Sequence, residues 1–184
     1  MIDPAAAWWR SCGPGALAAI DFEASGLPQF GHKTFPVEVG LACVASGDTR
    51  SWLIRPTDEW LSWGWDPGAE AIHGISLDEA LSRGRPPNEV LRELADMARP
   101  LRVVSDSGLD DIWLGVLAGG ARRSVPFEIQ LVDPVLEDLA VTPADADAAQ
   151  AVAESRFPRA HRAGPDARKL AEVIRILGGY DQFP

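Results

Sequence analysis

The chain predicts an α/β fold built on a mixed five-stranded sheet, three antiparallel strands followed by parallel additions, with helices on its flanks. Three observations predict it. As far as Ile54, apolar residues recur at the two-residue period of strands, and a short Gly-containing turn joins neighbouring runs as it would antiparallel strands. Beyond Ser76 the period becomes that of amphipathic helices, with short strand-like runs between them, the alternation that builds parallel pairs. The length of 184 residues suits one domain with a full hydrophobic core.

Residues 1–15 carry two tryptophans and Gly13-Pro14-Gly15, and are expected to form an extension that docks by its aromatics onto a single domain over 16–184. The first strand is the apolar run Leu17–Glu23, followed by a Gly/Pro/polar loop from Ser25 to Thr34. Within Pro36–Val44, Val37, Val39, Leu41 and Cys43 alternate as a half-buried strand. Ser46-Gly47-Asp48 marks a hairpin, and Arg50–Ile54 returns as the third strand. Pro56–Gly68 reads as a loop whose tryptophans, Trp60, Trp63 and Trp65, are expected to pack over the core, base stacking being the other use open to them.

Ser76-Leu77-Asp78-Glu79 has capping-box spacing and starts a short helix. Pro86-Pro87-Asn88 opens another, with Val90, Leu91, Leu94 and Met97 at helical spacing until Pro100 stops it. Leu101–Ser105 is a short strand, and the helix after it places Leu109, Ile112, Trp113, Val116 and Leu117 on one face. Phe127–Val132 gives the fifth strand, ending in Asp133-Pro134, and Thr142-Pro143 caps a helix running to about Ser155. In the last helix Asp166, Leu170, Val173, Ile174 and Leu177 stand at offsets 0, 4, 7, 8 and 11, which puts an acidic residue on the apolar stripe. A carboxylate there requires a partner or a metal to stay charged.

Composition narrows the function classes. No apolar run approaches the roughly 20 residues of a membrane span, and the first residues have no signal-peptide pattern, so no membrane partner and a cytoplasmic location are expected. The two cysteines, Cys12 and Cys43, are too few for a disulfide framework and lack zinc spacing; Cys43 reads as a small core residue. A net charge of −10 disfavours a broad electrostatic grip on a duplex, so a nucleic-acid partner is expected to be short, single-stranded or held through metal ions. Arg156, Arg159, Arg162, Arg168 and Lys169 form a local basic segment around His161 that suits either a phosphate backbone or a solvated helix face.

The chemistry concentrates in carboxylates at the edges of elements. Asp21 and Glu23, two apart on a strand, project from one face while Ile20 and Phe22 enter the other. Two such charges about 4 Å apart repel by about 1 kcal/mol in water and about 4 kcal/mol at a protein-surface dielectric, which asks for a cation between them. Asp110 opens the helix after the fourth strand, Asp166 lies on the last helix, and His161 stands five residues before it.

In their order these segments resemble the DEDDh 3'-5' exonucleases of the ribonuclease H-like superfamily, a group that includes proofreading subunits, ribonuclease T and oligoribonuclease. The matching stretches are Ile20–Leu27, Val104–Asp110 with Trp113-Leu114, and His161–Ala167, supported by Pro36–Gly40 and Ile72–Ser76. The resemblance covers about residues 17–177 and implies a ribonuclease H-like sheet. It also implies that Asp21, Glu23, Asp110 and Asp166 bind two divalent ions, Mg2+ or Mn2+, and that His161 is the general base. The activity implied is hydrolysis at the 3' ends of single-stranded DNA or RNA or short oligonucleotides, releasing nucleoside monophosphates. The resemblance places Ala24, Ser25, Gly26 and Leu27 against the terminal nucleotide, with Leu27 wedged on its base, and His73 either in that pocket or stabilising a turn; homodimers are common among relatives. Where many relatives have Asn four positions before the second-motif aspartate, this chain has Asp106, which with Asp111 stays open as a contributor beside Asp110. The competing readings are a silent exonuclease-fold binding module and a phosphoesterase for small phosphate esters.

Overall fold

In the computed structural model the described residues are 8, 11–13, 16–28, 33–139, 141–158 and 161–178. Strands β1 (Leu17–Ala24), β2 (Pro36–Cys43), β3 (Thr49–Leu53), β4 (Arg102–Ser105) and β5 (Ile129–Leu131) form one sheet in the order β3-β2-β1-β4-β5. β1–β2 and β2–β3 are antiparallel; β1–β4 and β4–β5 are parallel, as the change of apolar period predicts. β1 therefore lies at the centre, between β2 and β4, with its apolar side chains buried on both faces.

Among the described residues eight helices stand in chain order: α1 (Asp58–Leu61), α2 (Pro67–His73), α3 (Leu77–Arg83), α4 (Pro87–Ala98), α5 (Leu109–Gly120), α6 (Asp133–Asp138), α7 (Pro143–Arg156) and α8 (Ala163–Leu177). One face of β1 sends Ala18, Ile20, Phe22 and Ala24 into a core shared with Leu91 and Leu94 of α4 and Trp113, Leu114 and Leu117 of α5. Burying an Ile or Phe of this kind contributes roughly 1.5–3 kcal/mol. From the opposite face, Leu17 and Ala19 pack with Ala167, Ala171 and Ile174 of α8. Asp21 and Glu23 continue that second row, so the strand alternation turns both carboxylates toward α8.

Several local expectations change. β2 is buried along its whole length rather than on one face. Small residues explain this: Gly40 has no room for a Cβ because the α8 backbone at Ala163 and Gly164 rests on it. The loop over Pro56–Gly68 contains α1, capped by the Thr57 side chain, and α2 starts at Pro67 behind the Asp66 cap and ends on Gly74 in the left-handed region. Asp133-Pro134, expected to end a strand, starts α6, and β5 shrinks to three residues at the sheet edge. On α5 the buried stripe is Asp110, Trp113, Leu114 and Leu117, whereas Ile112 is 51% exposed.

Other expectations hold. Thr142 and Asp145 form the reciprocal capping box of α7. Trp60 is buried and stacks on Phe35 with ring centroids 5.6 Å apart, so the tryptophan segment does pack over the core. Trp8 is buried in the main core; Trp9, Arg159 and the end of the chain from Gly179 lie outside the described residues, as do 29–32 of the loop after β1. Cys12 and Cys43, which no local spacing pairs, are joined in a buried disulfide across 31 residues with Cα atoms 5.8 Å apart. Among the described residues no helix is long and apolar enough to cross a membrane.

Candidate active site

Three elements converge on one end of β1. Asp21 and Glu23 come from the strand, Asp110 from the first turn of α5, and Asp166 from the first turn of α8. The approach of α8 follows from Gly40, which is the cross-strand partner of Asp21. Because that position has no side chain, the N-terminal turn of α8 descends beside the carboxylates. A register shift between Glu23 and Ala24 opposite Pro36, a residue with no N–H, then bends the strand end.

Carboxylate oxygens gather in two groups, each with its members within 4.8 Å of one another: Asp21, Glu23 and Asp166, and Asp21, Asp106 and Asp110. Asp21 belongs to both. Its Oδ2 is buried and meets no hydrogen-bond donor among the described residues. An all-oxygen donor set with an unsatisfied buried carboxylate fits a hard divalent cation, whose preferred ligands are carboxylate oxygens.

The charges are costly without such a cation. Burial pushes the Asp21 carboxyl well above the usual carboxylate range, and Asp110, Glu23, Asp166 and Asp106 push it further. Burial, then Asp166 and Glu38, raises Glu23 to about 7 against the pull of Arg162. Asp110, 1% exposed, is raised to about 7 by burial and by Asp106, although hydrogen bonds from the Ser105 hydroxyl and the Phe22 backbone N–H favour its ionised form. Asp166 differs in having a cationic partner: Lys169 Nζ lies 3.2 Å from Oδ1, and the Arg162 backbone N–H donates to Oδ2 at 3.2 Å. It is half-buried rather than on the sealed stripe, which runs through Ala163, Ala167, Ala171 and Ile174.

His161 stands just before α8 with φ 42°, in the left-handed region where histidine is among the more tolerated residues. It is exposed, and lines a cavity of about 230 Å3 with Asp21, Asp106, Asp166 and Lys169. The corner is pinned from β2. Glu38, 4% exposed, accepts from Arg162 Nε at 2.9 Å, from the outer guanidinium nitrogen at 2.6 Å, and from the Ala163 backbone N–H at 3.0 Å. The expected basic segment is therefore largely engaged internally: Arg156 pairs with Glu172, and Arg168 lies over the Phe157 ring.

A second cavity, about 340 Å3, adjoins Glu23 and is lined by Ala24, Gly26, Leu27, Ile72, His73 and Trp113 among others. Leu27 is 66% exposed at its rim. Ser25 turns inward instead: its hydroxyl accepts the Phe35 N–H at 3.1 Å, and it lines the neighbouring hollow under Trp63 and Trp65. His73 does both things considered for it. Its Nδ1 accepts the Ile75 N–H at 3.0 Å, closing the end of α2, while the buried ring borders the cavity with Nε2 lacking a partner among the described residues. Burial lowers its pKa, opposed by the Ala24 backbone.

The sequence brings Asp21, Glu23, Asp110, Asp166 and His161 forward, and the fold assembles all five. It does not reveal the roles of Ser105 and Glu38, whose partners are buried or long-range, nor that of Lys169, for which the helical spacing from Asp166 is the one signal available. Asp111 is exposed and joins neither carboxylate group.

No protein-family model matches this sequence, and no curated protein matches it. Solved structures match its fold. The nuclease domain of 3'hExo, a DEDDh family member bound to rAMP, superposes with a TM-score of 0.66 at 16% identity, covering 91% of this chain and 94% of that one. Exonuclease I from Methylocaldum szegediense gives 0.62 at 14% identity over 88% of this chain and 40% of its own. The zinc-bound E. coli ExoI–ssDNA complex gives 0.60 at 13%, over 87% and 39%. The chain thus spans one nuclease domain nearly whole and about two fifths of Exonuclease I, and it has the ribonuclease H-like fold of the DEDDh exonucleases.

Proposed function

We propose that the protein is a metal-dependent 3'-5' exonuclease of the DEDDh type, acting on single-stranded DNA or RNA ends or short oligonucleotides and releasing nucleoside monophosphates. The observation that carries this reading is the pair of carboxylate groups sharing Asp21 next to His161. The likeness in fold to the nuclease domain of 3'hExo and to Exonuclease I supports it.

In this reading Asp21, Glu23, Asp110 and Asp166 hold two divalent ions, Mg2+ or Mn2+. Such ions, when bound, stabilise negative charge on the attacking and leaving oxygens of an in-line phosphodiester displacement. The protein's own groups do the rest. The cavity beside Glu23 receives the 3'-terminal nucleotide, with Leu27 packing on its base and the Ala24–Gly26 backbone alongside. His161 takes the proton of the attacking water as the new P–O bond forms and the bond to the penultimate sugar oxygen breaks, the general-base role that histidine fills most often. Lys169 and Arg162 hold Asp166 at the front of the site.

The test uses single-stranded DNA and RNA oligomers labelled at one end or the other, with Mg2+ or Mn2+. Stepwise shortening from the 3' end supports the proposal; no shortening with either ion overturns it. Nucleic-acid binding without turnover would favour a silent binding module, and hydrolysis confined to small phosphate esters a general phosphoesterase. Dimerisation, which the resemblance also implies, is a separate proposal read from sedimentation.

A further inference from the structure

Asp106 stands outside the four carboxylates that the motifs supply, yet it faces the same space. One of its oxygens, one of Asp21 and one of Asp110 lie within 4.8 Å of one another, and Asp106 lines the cavity with His161 and Asp166. The turn between β4 and α5 presents it there. The Ser105 hydroxyl accepts the Ser107 N–H at 2.9 Å and hydrogen-bonds Asp110, which fixes the backbone on both sides of Asp106. Apart from the spacing of the oxygens, Asp21 within this cluster keeps a fully buried Oδ2 with no donor among the described residues, an acceptor that a bound cation would satisfy.

The number of carboxylates decides what kind of site this is. A Mg2+-like ion held by one or two carboxylates completes its shell with water and substrate phosphate, so its occupancy depends on substrate. With three carboxylates the protein supplies enough charge on its own. Across the whole site, Asp21, Glu23, Asp106, Asp110 and Asp166 against two divalent ions leave one negative charge, which the ammonium of Lys169, 3.2 Å from Asp166, balances.

We propose that Asp106, with Asp21 and Asp110, forms a protein-held second divalent-cation site, so that the chain takes up both ions before nucleic acid arrives. This rests on the two-ion reading and adds to it a ligand and an order of assembly. Asp106 is exposed at the cavity edge, so its replacement by Asn keeps shape and removes only the charge and the anionic ligand.

The test is titration of the metal-free protein with Mn2+, without nucleic acid, followed by calorimetry and by the electron paramagnetic resonance signal of free Mn2+. The wild type is expected to bind two ions. Asp106→Asn is expected to keep one at wild-type affinity and to weaken the other by about ten-fold or more, the scale of losing a metal-site partner. Asp111→Asn removes the same charge from an exposed position outside both groups and is expected to leave both affinities within about two-fold, as screening of a solvent charge allows. The proposal is overturned if Asp106→Asn binds two ions as the wild type does, if Asp111→Asn loses as much, or if the wild type binds a second ion only when an oligonucleotide is added. A wild type that binds no ion removes the two-ion reading itself.

Discussion

At the scale of residues, the site is a set of carboxylates whose environments conflict with their charges. Two predictions belong here. First, His161→Ala is expected to lower kcat by roughly 10²–10⁴ with ion binding unchanged, because a general base contributes on that scale and His161 holds no carboxylate position; single-turnover kinetics and Mn2+ titration check the two parts. Second, stability without metal should fall as pH rises. Glu23 and Asp110 titrate near about 7 in the folded chain, above their unfolded values, so the folded state holds protons that the unfolded state releases. That stability is present below the ordinary carboxylate range and lost as pH rises through about 7. Glu93 and Glu172, lowered to about 2 by their arginine partners, work in the opposite sense but only below about pH 4.5, outside the window of interest. Thermal melts in chelator are expected to show Tm decreasing from pH 5 to pH 8. A divalent ion at about 100 times its Kd should abolish the decrease and add roughly 5–10 °C at the upper end.

At the scale of elements, the decisive fact is how closely α8 lies on β2. The three hydrogen bonds into Glu38 and the missing side chain at Gly40 hold the turn that carries His161 and Asp166. Gly40→Ala forces a Cβ into the Ala163 backbone and is expected to cost about 1–3 kcal/mol, the range for overpacking. Because the displaced backbone bears His161 and Asp166, the proposed base and ion ligand, kcat should fall more than KM rises; denaturant melts and steady-state kinetics separate the two effects. This packing also explains what was legible in the sequence. The carboxylates on β1 follow from strand alternation, which depends on neighbours in the chain, whereas helical spacing put Asp166 on the apolar stripe and the fold leaves it half-buried beside that stripe. The phase of α5 was not legible: Leu109, Ile112 and Val116 are as apolar as the buried set, and only the docking of Trp113 against β1 and Thr34 decides that Asp110 turns inward and Ile112 outward. α1, α2 and α6 are one or two turns long, too short for a period to show, and their starts at Thr57, Asp66-Pro67 and Pro134 emerge only in the fold.

At the scale of the molecule, the antiparallel opening of three strands was legible from their two-residue period and the turn at Gly47, whereas no local pattern carried the strand order that puts β1 at the centre. The Cys12–Cys43 bond and the Glu38–Arg162 clamp were not legible either, since each joins residues far apart in the chain. The overall charge of −10, together with the internal pairing of Arg162, Lys169, Arg156 and Arg175, leaves little unpaired cationic surface near the site among the described residues to follow a phosphate backbone. Nucleic acid should then be held through the ions and the nucleotide cavity. KM for a single-stranded oligomer is expected to change by less than about ten-fold between 50 and 200 mM monovalent salt, where six to ten phosphate contacts would change affinity by about 10³–10⁵; initial rates across that range check it.

The central claim is tested most directly by mass spectrometry of a single-stranded oligomer digested with the wild type and with Asp21→Asn in Mn2+. The account predicts a ladder that loses one nucleotide at a time from the 3' end, accumulates nucleoside monophosphates, and disappears in the variant. An oligomer left intact by the wild type, or a ladder that persists unchanged in Asp21→Asn, would contradict it.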